Sequence, residues 1–215
     1  MSEHANSLRR WLAVDAALKL LLVGALVYAA THTDIARFHD KAMGLRAVIY
    51  PIIVLLPLVI WALFLRRRIG YPYLIDVMVT LPFLFDTYGN VFGLYDSITC
   101  FDDALHLVNW VPWVCTFGLI LGYRNLGRLN VAALTVGYGA VTHILWEIGE
   151  YLAFTTGNES EMQGIYRDTV GDLAMSLTGS VVGGVLVGTV LWKRGDKDSL
   201  PASPSIGNSG SIFDT

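Results

Sequence analysis

Long apolar stretches alternate with short polar clusters along almost the whole chain. Apolar runs near 11–30, 47–65, 101–122, 131–154 and 168–192 match the ~20 residues a helix needs to cross a hydrocarbon core of about 30 Å. A sixth run, near 71–85, is shorter and carries Asp76 and Pro82, so a full crossing and a re-entrant segment both stay open. The pattern predicts an all-α, polytopic transmembrane bundle of about six spans, forming one domain over 1–192. Beyond Trp192 come Lys193-Arg194-Gly195-Asp196-Lys197 and a stretch rich in Ser, Gly and Pro. Without apolar periodicity, 193–215 is expected to be a disordered cytoplasmic tail.

Arg9-Arg10 ahead of the first run and Ala29-Ala30 at its end have the outline of a signal peptide. The run also holds Asp15 and Lys19, four apart and able to pair on one helix face, so a retained span is the expected state. Loop charges then orient the bundle. With the N-terminus inside, the inner segments hold ten basic residues (Arg9, Arg10, Arg66, Arg67, Arg68, Arg124, Arg128, Lys193, Arg194, Lys197) and the outer segments four (Arg37, Lys41, Arg46, Arg167). The segment Asp86–Asp103 has four acids and no base, which suits the outside. Both termini are therefore expected in the cytoplasm, an arrangement that needs the short third span to cross.

Composition agrees: 54% of residues are hydrophobic and 15% charged, against roughly a quarter charged in soluble domains. No basic stretch resembles a nucleic-acid patch. Cys100 and Cys115 are poor disulfide partners, and no Cys-x-x-Cys pair offers a thiolate metal site.

Ionisable groups inside a span are costly and point to function, and here they gather on three helices. The fourth span opens with Phe101-Asp102-Asp103-Ala104-Leu105-His106, the fifth closes with His143, Glu147 and Glu150, and the sixth opens with Asp168-Thr169-Val170-Gly171-Asp172. Each set repeats at three or four residues and so shares a helix face. All three sets lie at the same, outer end. At about 1.5 Å per residue, Asp102, Glu150 and Asp168 make a shallow layer, and His106, Glu147 and Asp172 a second one roughly 6 Å deeper. Asp103, about 100° around the helix from Asp102, is expected off that face.

Five carboxylates in one low-dielectric site need compensation, and the nearby candidates for positive charge are His106 and His143. A divalent ion resolves this, and oxygen donors with one or two imidazoles suit Mg²⁺, Ca²⁺, Mn²⁺ or Fe²⁺. His106, Glu147 and Asp172 are the expected metal ligands. Glu150, Asp102 and Asp168 are expected to complete the shell or act as base. Glu147 and Glu150 sit near a helix C-terminus, where the dipole disfavours acids; Asp102, Asp103 and Asp168 could instead serve as N-terminal caps, and His143 as a packing histidine. Ser176, Ser180, Gly184 and Gly188, with Gly179 and Gly183, form a small-residue stripe suited to close helix packing. Asn158-Glu159-Ser160 matches a glycosylation acceptor, and Trp11, Tyr71 and Trp192 suit interfacial anchoring.

Asp102-x-x-x-His106, Glu147-Ile148-Gly149-Glu150-Tyr151 and Asp168-Thr169-x-x-Asp172, followed by a small-residue helix, together resemble the YjdF-like bacterial inner-membrane proteins. The resemblance covers mainly Asp102 to Gly184 and does not extend to His143 or to Asp96–Cys100. It implies a compact bundle of about six helices in a bacterial inner membrane, and no established activity. The residues themselves lead to the expectation of a metal-dependent membrane enzyme acting on a lipid or lipid-linked headgroup at the outer face. A carrier for protons or cations, or a non-catalytic scaffold, are the alternatives. Five histidines, His4, His32, His39, His106 and His143, are too few for a histidine-rich desaturase.

Overall fold

The computed structural model describes residues 2–39, 41–67, 69–122, 126–154 and 159–191. Among them the secondary structure is entirely helical. α1 covers Ser2–Thr31, α2 Met43–Ile60, α3 Tyr73–Val91, α4 Leu94–Ser97, α5 Phe101–Gly122, α6 Arg128–Phe154 and α7 Glu159–Leu186. Single wider π turns, Trp61–Leu65 and Val187–Leu191, extend α2 and α7. The expected tail and Trp192 lie outside the described residues, as does Asn158.

Five helices are long and apolar enough to cross a membrane: α1 from Leu8, α2 with its π turn, α5, α6 to Tyr151, and α7 from Tyr166 with its π turn. The third expected span is displaced rather than truncated. α3 runs for 19 residues, about 28 Å at helical rise, and ends at Val91, not near 85. The sequence pattern stops early because Asp86, Thr87 and Asn90 look like loop. In the bundle all three are buried, as are Asp76 and Thr80, so the polar side chains of α3 face protein. α7 likewise begins nine residues before the expected 168, and α1 nine before the expected 11.

The helices pack as two groups of three. α1, α2 and α3 form one, α5, α6 and α7 the other, and α3 against α5 joins them. Leu22, Leu26, Tyr50, Val54, Val79, Phe83 and Leu84 build the core of the first. The second is held by the small-residue stripe, as its spacing predicts. A Cβ at Gly179 would collide with the Leu107 carbonyl oxygen of α5, one at Gly183 with Val114, and one at Gly184 with the Ala132 carbonyl of α6. Glycine here lets backbones approach, which is what drives association where lipid removes the hydrophobic advantage.

Gly179→Ala is accordingly expected to lower the thermal midpoint of the detergent-solubilised protein, at a cost of about 1–3 kcal/mol for overpacking against immobile backbone. Gly137→Ala is the control: a Cβ there meets nothing within 4 Å, and helix propensity alone should leave stability unchanged or raised by roughly 0.5–1 kcal/mol. Equal losses in the two variants would contradict this packing.

Candidate metal centre

α5, α6 and α7 bring their polar faces together at one end of the second group. His106 on α5 is the hub. Its Nε2 lies 3.6 Å from Asp102 Oδ1 and 3.6 Å from Asp172 Oδ1, while Nδ1 is 3.2 Å from the Ser176 hydroxyl of α7. One side of the imidazole is thus held by the small-residue helix and the other faces two carboxylates. The ring stacks 5.1 Å from His143 at an interplanar angle of 14°, and Trp110 covers both imidazoles at 5.7 and 4.5 Å.

Glu147 turns inward, as its helical register suggests. Its Oε1 is 2.5 Å from His143 Nε2, its own neighbour one turn earlier, and it also accepts a hydrogen bond from Thr169 of α7. Two groups of metal-ligating atoms, each with all members within 4.8 Å of one another, share His106: Asp102 with His106 and Asp172, and His106 with His143 and Glu147. The two layers expected from helical rise therefore mix. Asp102 from the shallow layer joins His106 and Asp172 from the deeper one, because α5 packs on α7 so that both carboxylates reach Nε2 of one imidazole. Asp168 is exposed. Asp103, expected off the shared face, instead approaches α7, where its Oδ1 would lie 3.0 Å from a Cβ at Gly171.

The sequence reading missed the other half of the site. Asp86 and Arg46, assigned there to outer loops, are helical and pair with each other across α3 and α2. Arg46 Nη1 also donates to Tyr50 Oη at 2.7 Å and its Nε to the Lys41 carbonyl at 3.1 Å. Tyr50 and Tyr95 both donate to Asp86, at 2.8 and 2.7 Å. Burial beside Asp86 pushes the Tyr95 phenol well above its usual range, so it serves as a neutral donor. The histidines are therefore not the only compensating groups: a half-buried guanidinium lines the same cavity as His106. Arg46 and Asp86, forty residues apart, share no local motif, though an arginine four residues before a tyrosine inside an apolar run was a usable signal.

Between the two halves lies a cavity of about 300 Å³. Arg46, Asp86, Asp102, His106 and Glu150 line its polar end, and Ile53, Pro82, Phe83 and Trp113 its apolar end. At the opposite end of the first group Lys19 Nζ bridges Asp15 Oδ1 at 2.5 Å and Asp76 Oδ2 at 2.6 Å. Tyr71, expected as an interfacial anchor, turns its hydroxyl inward onto Asp76, and Trp11 is exposed. Cys100 and Cys115 are both free, the first exposed and the second buried.

A bundle of long apolar helices enclosing a buried Asp/Glu/His site defines a multi-pass membrane protein. The chain belongs to the family described as predicted membrane protein (DUF2238), whose family model matches residues 16–194. That span includes every residue of the site and accords with the YjdF-like resemblance. No curated protein and no solved structure matches the chain.

Proposed function

We propose that Asp102, His106 and Asp172 bind one divalent cation, and that the protein is a metal-dependent membrane enzyme acting on a lipid or lipid-linked headgroup at the outer leaflet. The carrying observation is the spacing of the three donors. Two ligands about 2.1–2.3 Å from a cation and 90–110° apart are separated by about 3.0–3.8 Å, and 3.6 Å on both sides of His106 Nε2 falls in that range. It is too long for a hydrogen bond. Asp172 Oδ1 is buried with no hydrogen-bond partner among the described residues, a state that costs several kcal/mol for a charged oxygen unless a cation meets it. His143 and Glu147, by contrast, are already bonded at 2.5 Å, closer than two ligands of one ion sit. Glu147 thus passes from expected ligand to the partner that orients His143 against the hub.

The donor set, two carboxylates and one imidazole, suits Mn²⁺, Mg²⁺ or Fe²⁺. A bound cation would polarise a phosphoryl or carbonyl oxygen, or activate water. A carrier for protons or cations finds support in the Asp15–Lys19–Asp76 cluster at the far end, but none of those three residues lines the cavity, whose far wall is apolar with Ile53, Pro82, Phe83 and Trp113. The test is metal content: protein purified with Mn²⁺ and freed of excess should retain about one ion per chain, and no retained or titratable ion overturns the reading.

The orientation, with both termini cytoplasmic, rests on the ten-to-four basic asymmetry and is part of the proposal. Native Cys100 reports it without mutation, because Cys115 is buried. A membrane-impermeant maleimide added to intact spheroplasts should label Cys100. Labelling only of inside-out vesicles would reverse the bundle and put the site at the inner leaflet.

A further inference from the structure

A second space adjoins the cavity, and the proposed chemistry does not use it. A groove of about 240 Å³ runs between α2 and α6, lined by Ala42, Leu45 and Ile49 on one side and Leu145 and Gly149 on the other. Arg46, Tyr50, Trp146 and Glu150 line this groove and the polar cavity alike, so the two spaces share these four residues as a wall. α2 packs on α1 and α3 and is the least embedded of the apolar spans, with 11% of its apolar window buried against 22–39% in the others. It also carries Pro51 and Pro57, each of which removes a ladder hydrogen bond and lets a helix bend. The groove's flank, with Leu45, Ile49 and Leu145 largely exposed, faces the bilayer side of the bundle.

We infer that the gap between α2 and α6 is a lateral port through which one aminophospholipid of the adjoining leaflet reaches the site. This names the substrate class of the reading above and rests on it. The acyl chain lies along Leu45, Ile49 and Leu145, surfaces with no polar group to offer. Where the groove meets the cavity, it presents one guanidinium and one carboxylate, Arg46 and Glu150. A phosphate and an ammonium on one headgroup match that pair in sign. Guanidinium forks bind phosphate well, and the bonds Arg46 makes through Nε and Nη1 hold it in place from behind. Asp86 offsets the charge of Arg46, whereas Glu150 has no cation bonded to it among the described residues, which favours an amine over a neutral or purely anionic headgroup. The lipid phosphate would then stand beside His106 and Asp102, on the wall of the same cavity.

Trp146 reports occupancy, since it borders both spaces. The full chain in detergent would be titrated with phosphatidylethanolamine brominated on its acyl chains, with phosphatidylglycerol and diacylglycerol of the same chains as comparisons. Quenching that is present in the wild type and absent in Trp146→Phe isolates the Trp146 signal. Phosphatidylethanolamine should bind about tenfold tighter than phosphatidylglycerol, the scale of one charged hydrogen bond, and Glu150→Gln should erase the difference. Gly149→Phe should abolish quenching while the protein stays folded, because an added Cβ there meets nothing within 4 Å. The double variant Arg46→Gln with Asp86→Asn should weaken both phospholipids and spare diacylglycerol. Equal affinity for all three lipids, or quenching that survives Gly149→Phe, overturns the port. Mn²⁺ binding measured on the same samples separates the two ideas: lipid binding without Mn²⁺ removes the metal and keeps the port, and Mn²⁺ binding without Trp146 quenching removes the port alone.

Discussion

Asp172→Asn is expected to lower Mn²⁺ affinity by at least about 100-fold, beyond the 10–100-fold typical of residues that only support a ligand. The substitution keeps size and shape and removes one negative charge from an oxygen that is buried and unpartnered. Its second consequence fixes the interpretation. Without metal, Asp172→Asn should be at least as stable as the wild type, since it relieves a buried charge among other acids; with Mn²⁺, the stabilisation of the wild type by binding should vanish. Glu147→Gln should act more mildly, by about tenfold, because it loosens the His143 ring stacked on His106 and leaves all three ligands in place. Asp103→Asn should change affinity least. Paramagnetic resonance of Mn²⁺ titrations, with thermal midpoints at each concentration, reads all three. If Glu147→Gln loses as much affinity as Asp172→Asn, Glu147 is a ligand and the deeper layer expected from the sequence stands.

Arg46→Met should destabilise the protein by about 3–5 kcal/mol, the cost of breaking a buried ion pair from one side. Side-chain exposure is 16% for Arg46 and 12% for Asp86, so little water is available to screen the orphaned carboxylate. Tyr50 and Tyr95 would still donate to Asp86, but hydrogen bonds do not replace the lost charge. The double variant Arg46→Met with Asp86→Asn should recover most of the loss, since it removes the orphaned charge and keeps an amide oxygen that accepts from one of the two tyrosines, which donate to different oxygens of Asp86. A large thermal shift in the single variant that the double variant fails to recover would mean that Arg46 acts through packing against Tyr50 rather than through charge. Metal affinity should be nearly unchanged in the recovered double variant, because neither residue is a proposed ligand and removing one charge of each sign leaves the net charge at the site the same.

Much of this molecule is written in local pattern. Apolar run length alone identifies five of the six long helices, because a bilayer imposes a minimum length and forbids unpaired backbone. Helical spacing alone places Asp102 with His106, Glu147 with Glu150, and Asp168 with Asp172, since a shared face depends only on neighbours three and four apart. The glycine stripe of α7 announces close packing for the same reason. Those are properties of single helices.

Relations between helices are a different matter. The extent of α3 is hidden because Asp86, Thr87 and Asn90 read as loop until Arg46 and Tyr50 of α2 and Tyr95 of α4 supply partners for Asp86, while Thr87 and Asn90 bond to carbonyls of their own helix. Which acid joins from a second helix is also undetermined: spacing of four within one helix pairs Asp102 with His106 and Glu147 with His143, but only the packing of α5 on α7 brings Asp172 to the same nitrogen of His106 as Asp102. The space between α2 and α6 has no sequence counterpart at all. It exists because α2 packs on α1 and α3 and leaves its other flank open, a fact of assembly that no periodicity within one helix can carry.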